Sequence, residues 1–239
     1  GRLFGRSLRA MAETNSQTLL GGPNWRQLLD RPRQQQELTV RSGEQVLSLE
    51  GSCTPFERNG QAFHLLLLHD IGDRKRAEQR LRHLANFDQL TEVANRNHLL
   101  IRLDELLARG GPLSLLFLNI DHFKRINDSL GHDIGDQLLR AVADRLRLYA
   151  SPRDLLARLG GDEFLFLLDG RDSAAAVELG ERLVEALRQP FQARQYSLYI
   201  TASLGITQHS GRGGSGSELL KQADLALLRA KFEGRNRLA

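Results

Sequence analysis

The chain has 239 residues, which is enough for one large or two ordinary domains, since a domain commonly takes about 100–200 residues. Hydrophobic residues make up 41% and charged residues 26%, which indicates a globular protein with a sizeable core and excludes a wholly disordered chain. The formal net charge is +4, and the basic residues are spread along the chain. A mildly basic surface suits a small anionic ligand, and no basic block points to nucleic acid.

Cys53 is the only cysteine, so no intrachain disulfide can form and a reducing compartment such as the cytoplasm is expected. The longest apolar runs, such as "HLLLLH", are too short to span a bilayer, and no signal peptide is visible. The opening "GRLFGRSLRAM" has no initiator Met, which suggests a piece of a longer chain. We expect cytoplasmic domains, with a membrane anchor upstream remaining an open alternative.

The first domain is predicted over residues 1–72 and is rich in strands. The stretch "ELTVRSGEQVLSLEGSCTPF" alternates around Ser42-Gly43, which predicts a hairpin, and "QAFHLLLLHDI" predicts a buried strand. Residues 73–86 predict a connecting helix, because its apolar residues fall on one stripe: Ala77, Leu81 and Leu84. That stripe is too short to predict a coiled coil.

The second domain is predicted over residues 87–239. Apolar spacing predicts helices over residues 98–109, around 134–146, over 173–189 and over 218–237. Strands are predicted over residues 112–120, on both sides of Gly160-Gly161, and over 196–208, with a flexible loop at "GRGGSGS". This order predicts an α+β fold, with helices packed on a mostly antiparallel sheet.

Acidic and amide side chains fall at the ends of two predicted strands. The strand over residues 112–120 leads into Asn119, Asp121 and Asp128, and the following hairpin tip carries Asp162 and Glu163. If the two strands are neighbours, oxygen ligands meet at one edge of the sheet, as Mg²⁺ requires. Two such ions can activate an attacking oxygen and neutralise a leaving pyrophosphate, so this arrangement favours nucleotidyl transfer.

Each piece of this pattern has a simpler interpretation. An acidic hairpin tip alone is usually a solvated turn, and "GHDIGD" could be a turn with an N-cap for the next helix. Lys124, Lys231 and Arg235 could bind a triphosphate, but Lys231 and Arg235 could also merely complement a helix dipole.

The joint pattern resembles the GGDEF family of diguanylate cyclases from about residue 87 to residue 237. The resemblance rests on "FDQLTEVANR", "NIDHFKRINDSLGHDIGD", "RLGGDEF", "ITASLGI" and "ADLALLRAKFEGRNR", in that order. It implies a polymerase palm-like fold and the condensation of two GTP into cyclic di-GMP, with one GTP held by each subunit of a homodimer. It also implies Mg²⁺ or Mn²⁺ as the cofactor.

The resemblance also implies roles for individual residues. Asp162 and Glu163 would act in catalysis with Lys124, and the metal would be held by Asp162, Glu163, Asn119 and the Ile120 carbonyl. Guanine would be read by Asn127 and Asp136, since a carboxylate can accept from N1–H and the 2-amino group. The phosphates would be held by His122, Phe123, Lys124, Lys231 and Arg235.

The chain departs from the family pattern at three places. Asn119 stands where the family has a metal-bridging Asp, and an amide oxygen brings no negative charge, so metal binding is expected to be weaker. Ser151 replaces the Arg of the inhibitory Arg-x-x-Asp, although Asp154 is present, so no conventional inhibitory site is expected. The family's "LTGLPNR" reads "LTEVANR" here, which changes a turn near the domain entrance.

The first domain resembles a truncated PAS sensor at its exit, "HDIGDRKRAEQRL", and its ligand is unknown. Trp25, Cys53, His64 and His69 are interpreted as packing or surface residues, because no paired metal-ligand spacing links them. Three hypotheses remain: a sensor-controlled cyclase weakened by Asn119, a non-catalytic GTP-binding module that regulates a downstream phosphodiesterase (EAL) domain, and a purely structural dimerisation module.

Overall fold

The computed structural model describes residues 20–42, 45–211 and 215–239. The chain forms two compact units with their boundary between Arg82 and His83. In the described part of the chain, no helix is both long and apolar enough to cross a membrane.

The first unit contains helix α1 (Gly22–Asp30) and a three-stranded antiparallel sheet of β1 (Gln36–Ser42), β2 (Gln45–Arg58) and β3 (Gln61–Asp70). Ser42 pairs with Gln45, which confirms the predicted hairpin, while residues 43–44 of its turn lie outside the described residues. One face of the sheet is buried in a small core with α1, made by Leu20, Leu28, Leu38, Val40, Leu49 and Cys53.

Strand β3 exists as predicted, but the prediction that it is buried is wrong. Leu65 and Leu67 are 61% and 67% exposed, and Phe63 is 41% exposed, stacked on Phe56 of β2. Leu66 and Leu68, which point to the other face, pack against the core with α1. An apolar run cannot show which face of a sheet is covered, and here the described residues cover one face only.

The connecting helix is α2 (Gly72–Asn86), and the boundary between the two units falls inside it. Its consecutive basic residues, Arg74, Lys75 and Arg76, form ion pairs, with Lys75 contacting Glu37 and Arg76 contacting Asp73. Leu81 and Leu84 of the predicted stripe are 66% and 43% exposed.

The second unit is an α+β fold, as predicted, with a five-stranded sheet in the order β10-β5-β7-β6-β4. All pairs are antiparallel except β4 with β6. Its elements are β4 (Ala94–Asn95), α3 (Arg96–Arg109), β5 (Leu113–Ile120), α4 (Phe123–Leu130), α5 (His132–Arg147), β6 (Leu155–Gly160), β7 (Glu163–Asp169), α6 (Ser173–Arg188), β8 (Phe191–Ala193), β9 (Tyr196–Leu198), β10 (Ala202–His209) and α7 (Gly216–Phe232).

Strand β5 lies between β10 and β7, and helices cover both faces of the sheet there. Leu116 and Leu118 pack in one core with residues of α5 and α6, while Leu115 and Phe117 pack in another with residues of α3 and α7. Every residue of β5 is buried, which explains its continuous apolar run.

Several details differ from the sequence-based expectations. The strand predicted over residues 196–208 is split into β9 and β10, and β9 pairs with β8 in a separate two-stranded sheet. The short helix α4 was not predicted. The last helix ends at Phe232 rather than residue 237, because Gly234, Arg235 and Asn236 all have positive φ. The predicted loop over residues 211–217 lies partly outside the described residues, and its last residues begin α7.

Candidate functional site

The acidic hairpin and the end of the central strand are hydrogen-bonded neighbours. Asn119 of β5 is paired with Glu163 of β7, and the Ile120 N–H donates to the Asp162 carbonyl at 3.2 Å. The sequence could only assume this adjacency, and the register shows it. Asn119, Ile120, Asp162 and Glu163 therefore meet at one edge of the sheet.

Electrostatic repulsion and burial act on Glu163 at this edge. The pKa of Glu163 is raised by burial first, then by the charges of Asp162 and Asp224, while Lys231 lowers it. Helix α7 thus places one cation, Lys231, and one further acid, Asp224, close enough to the hairpin to affect the pKa of Glu163. Asp224 was not among the predicted site residues, and its place two helical turns before Lys231 was the only sequence signal for it.

Two of the acids noted in the sequence do not join this group. The Asp121 carboxylate, which is 5% exposed, accepts hydrogen bonds from Thr201 Oγ1 at 2.7 Å, Ser203 Oγ at 2.8 Å and the Asn236 N–H at 3.2 Å. Asp128 lies exposed on α4. Asp121 is therefore engaged by protein donors, and the expectation that it adds to the metal-facing oxygens is wrong.

The chain turns sharply into α4 just after the central strand. His122 adopts a left-handed conformation with φ 58° and is the N-cap of α4, and Phe123 is buried behind it. The first turn of a helix leaves N–H groups without intrahelical acceptors, which favours anions. Lys124 is exposed in this turn and has no ion pair among the described residues.

Asn127 of α4 packs against Gly135 of α5, the residue before Asp136. Asn127 Oδ1 is buried and lacks a hydrogen-bond partner within the described residues. A Cβ at Gly135 would lie 1.8 Å from this oxygen, so only glycine permits the close approach. An unpaired buried acceptor costs about 1–3 kcal/mol, which suggests a partner supplied by a ligand.

The simpler interpretation of "GHDIGD" as a turn with an N-cap is confirmed for its first residue but does not account for Asp136. The N-cap of α5 is Gly131, which makes no side-chain capping hydrogen bond, and Asp136 lies inside the helix, partly exposed. Lys231 lies in the last turn of α7, whereas Arg235 lies beyond its end, exposed and without an ion pair in the described part of the chain.

A polar network links the start of the second unit to the hairpin tip, and sequence reasoning missed it. Arg158 donates to Asp88 Oδ1 at 2.9 Å and, through Nε and Nη2, to the Gly161 carbonyl at 3.0 and 2.7 Å. The same Asp88 oxygen accepts from the Thr91 N–H and hydroxyl. This network holds the turn that carries Asp162.

Ser151 and Asp154 lie before β6, away from the hairpin tip at its other end. The Asp154 side chain is fully enclosed, accepts a hydrogen bond from the Ser151 N–H at 2.8 Å and pairs with Arg171 at 2.5 Å.

A cavity of about 660 Å³ opens on the other side of α4. Asp121, His122 and Asn236 contribute to its lining, but Asn127, Asp136 and Glu163 do not. It is therefore distinct from the edge and helix pair described above.

Among the described residues, no group of three or more His, Cys, Asp or Glu side chains is arranged to hold a metal ion. Asp162 and Glu163 are two carboxylates, and the Asn119 amide and Ile120 carbonyl are the neighbouring neutral oxygens. Mg²⁺ commonly binds through one or two carboxylates together with water and substrate phosphate. The residues present therefore fit a divalent ion that shares its ligands with a nucleotide.

Comparisons with known proteins agree with this geometry. The family model described as "Diguanylate cyclase, GGDEF domain" matches residues 85–237. The bifunctional diguanylate cyclase/cyclic di-GMP phosphodiesterase MucR of Pseudomonas aeruginosa is 41% identical over 165 residues, covering 67% of this chain and 24% of MucR. Diguanylate cyclase DgcP of the same organism is 38% identical over 218 residues, covering 87% of this chain and 30% of DgcP.

A solved structure shares the fold. The coiled coil and GGDEF domain of DgcB from Caulobacter crescentus, in complex with c-di-GMP, superimposes with a TM-score of 0.66 and 32% identity, covering 71% of this chain and 92% of that one. The chain spans less than a third of MucR and of DgcP. On the match to residues 85–237, the chain belongs to the GGDEF family of diguanylate cyclase domains.

Proposed function

We propose that the second unit binds GTP with a divalent metal ion and condenses two GTP molecules into cyclic di-GMP. The observation that carries this proposal is the pairing of Asn119 with Glu163, together with the hydrogen bond from the Ile120 N–H to the Asp162 carbonyl. This register supports a common metal site formed by Asp162, Glu163, Asn119 and the Ile120 carbonyl. Mg²⁺ or Mn²⁺, when bound, would neutralise the phosphates and promote departure of pyrophosphate.

In the proposed reaction, the 3′-oxygen of each GTP in turn attacks the α-phosphorus of the other, which forms the two phosphodiester bonds of the ring. The bond from that phosphorus to pyrophosphate breaks, and the 3′-hydroxyl proton passes to a base. Glu163 is proposed for this role because it lies beside Asp162 and is paired with Asn119 at the metal-facing edge of the sheet.

The triphosphate is proposed to lie between the start of α4 and the end of α7. The first turn of α4 would offer the N–H groups near His122 and Phe123, and the side chain of Lys124. Lys231 and Arg235 would approach from the other side, which is supported by the effect of Lys231 on the pKa of Glu163.

The guanine base is proposed to lie between α4 and α5. The unsatisfied Asn127 Oδ1 would accept from the guanine 2-amino group, and the Asp136 carboxylate would accept from N1–H and the 2-amino group. Adenine offers no such pair of donors, so the site would select GTP over ATP.

The remaining assignments are proposals of the same kind. Two copies must meet face to face, since each holds one GTP, so a homodimer is expected during turnover. The first unit would be a PAS-like sensor of unknown ligand that acts through α2, and the protein would work in the cytoplasm. We propose that cyclic di-GMP does not inhibit through the usual site, because Ser151 replaces the family's Arg and Asp154 is occupied by Arg171.

A second candidate function is GTP binding without turnover, in control of a phosphodiesterase (EAL) domain elsewhere in a longer protein. Asn119 favours it, because a neutral amide replaces a carboxylate at the metal-facing edge. The name of MucR, which combines cyclase and phosphodiesterase activities, agrees with such an arrangement.

The test is product formation from GTP by concentrated protein, in Mg²⁺ and separately in Mn²⁺, with Asp162→Ala as the control. Cyclic di-GMP that disappears in Asp162→Ala would support the cyclase. GTP binding with no product in either metal would support the second candidate, and no GTP binding at all would overturn both.

A further inference from the structure

The buried carboxylate of Asp121 joins three separate segments of the second unit. It follows β5 directly, and its oxygens accept from Thr201 and Ser203, before and within β10, and from the Asn236 N–H beyond the end of α7. A buried carboxylate that accepts several hydrogen bonds holds its partner segments firmly together, because each bond is charge-assisted.

The Asn236 N–H that Asp121 binds belongs to a strained turn beyond the end of α7. Arg235 and Asn236 are consecutive residues with φ 62° and 53°, and neither is glycine. Asn adopts this conformation more readily than most residues, but Arg rarely does, so surrounding contacts must hold Arg235 in it. Besides Asp121, Arg188 donates to Asn236 Oδ1 at 3.0 Å and to the Asn236 carbonyl at 3.3 Å, and the Arg235 N–H donates to the Ala230 carbonyl.

The strained turn presents one side chain outward. Arg235 is exposed and has no ion pair among the described residues, although the turn around it is held at several points. Strain of this kind is typical of functional positions, where it fixes a group that a relaxed chain would leave mobile.

The chain beyond the turn has its own anchors. Leu238 lies within 3.0 Å of a Cβ built at Gly180, and Ala239 exchanges backbone hydrogen bonds with Leu204 and Ile206 of β10. Loss of the Asp121 bond would therefore loosen the turn without releasing the end of the described chain.

We propose that Asp121 is a positioning residue, which holds the Arg235–Asn236 turn so that the Arg235 guanidinium meets the triphosphate of bound GTP. The inference rests on the proposed function and adds to it the residue that positions one of the phosphate-binding side chains. It also assigns Asp121 a role other than that of a metal ligand, although it lies next to the metal-facing edge.

The test compares a triphosphate with a monophosphate. The affinities of α,β-methylene-GTP, which cannot release pyrophosphate, and of GMP are measured by calorimetry for Asp121→Asn, Arg235→Ala and the double variant. Asp121→Asn should weaken the triphosphate analogue about fivefold and leave GMP almost unchanged. The double variant should bind no more weakly than Arg235→Ala, because the two residues act on one contact.

Controls separate this role from the alternatives. Asp128→Asn removes a charge that is exposed on α4 and should change neither affinity. Arg188→Gln removes the other side-chain hydrogen bonds to Asn236 and should also weaken the triphosphate analogue selectively, but by less. Asp121→Asn should also speed hydrogen exchange at the Asn236 amide. Equal losses for both nucleotides, additive losses in the double variant, or a lower Mn²⁺ affinity without nucleotide would overturn the inference.

These outcomes are distinct from failure of the proposed function. If the unmodified protein binds neither nucleotide, the proposed function is wrong and this role for Asp121 falls with it. If it binds GMP and the analogue but Asp121→Asn shows no selective loss, only the positioning role is wrong.

Discussion

The two ends of the candidate site differ in how complete they are. At the α4–α5 end, Asn127 and Asp136 both match the family pattern, and the Asn127 acceptor is buried and unsatisfied in the described residues. At the β5–β7 edge, two carboxylates match it, but Asn119 supplies an amide where the family has a charge.

Under the proposed function, this difference means that GTP recognition and GTP turnover would depend on separate parts of the second unit. Base selection needs acceptors held in place by helix packing, which α4 and α5 provide without a metal. Turnover needs negative charge that can hold a divalent ion, and one such charge is missing at Asn119. Changes at each end should therefore move different measurements.

The largest effect is expected at Gly135. The Cβ introduced by Gly135→Ala would lie 1.8 Å from Asn127 Oδ1 and must displace that side chain. GTP affinity should fall about ten- to hundredfold, which corresponds to about 1–3 kcal/mol for one buried hydrogen bond. The melting temperature should change little, because alanine favours a helix interior by about 1 kcal/mol over glycine and offsets the displacement.

Calorimetric titration with GTP and thermal unfolding together check this. Asn127→Ala is the matched control, since it removes the same acceptor without the clash and should show a similar loss of affinity. A Gly135→Ala protein that binds GTP normally would mean that Asn127 does not contact the base.

At the metal end, Asn119→Asp should raise divalent-metal affinity and turnover about tenfold. The added charge lies beside Asp162 and Glu163. Once a divalent ion is bound at this edge, its attraction to the three carboxylates outweighs the repulsion among them. Mn²⁺ titration in the presence of GTP, with product quantified in parallel, measures both effects.

Gln192→Glu adds the same charge at an exposed position of strand β8 and should change neither value. Base preference should stay the same in Asn119→Asp, because α4 and α5 are untouched. Unchanged metal affinity and turnover would show that Asn119 is not the weak point.

A somewhat smaller effect is expected for Asp136→Ala. It should reduce the preference for GTP over ATP by up to about tenfold, because the variant loses an acceptor pair that only guanine can use. Competition binding with the two nucleotides measures the ratio. Asp133→Ala, in the exposed first turn of the same helix, serves as the control, and equal losses for GTP and ATP would contradict a base-reading role.

The sequence predicted the site motifs better than it predicted their surroundings. The adjacency of β5 and β7 had to be assumed, because strand pairing is a tertiary property that spacing alone does not contain. Asp121 was grouped with the metal-facing acids because it follows the same strand, but its partners Thr201 and Asn236 are far away along the chain. The link from Arg158 to Asp88 was invisible for the same reason.

The fold shows the same limit in the first unit. Alternation correctly predicted β1 and β2, and an apolar run predicted β3, yet the exposure of Leu65 and Leu67 depends on what covers the outer face of the sheet. In the second unit, the continuous apolar run of β5 did predict burial, because helices cover both faces there.

The smallest expected effect concerns the charge of Glu163 in the protein without metal. Burial, Asp162 and Asp224 raise its folded-state pKa, so the folded protein holds this proton more tightly than the unfolded chain does. The stabilisation from the bound proton is complete at acidic pH and is lost as pH rises through the raised pKa. Glu163→Gln, which stays neutral, should therefore melt about 1–3 °C higher than the unmodified protein at pH 8 in EDTA, and the gain should vanish at acidic pH. Glu178→Gln, an exposed change on α6, should show no such pH dependence, whereas a pH-independent gain in Glu163→Gln would mean that packing, and not charge, governs this edge of the sheet.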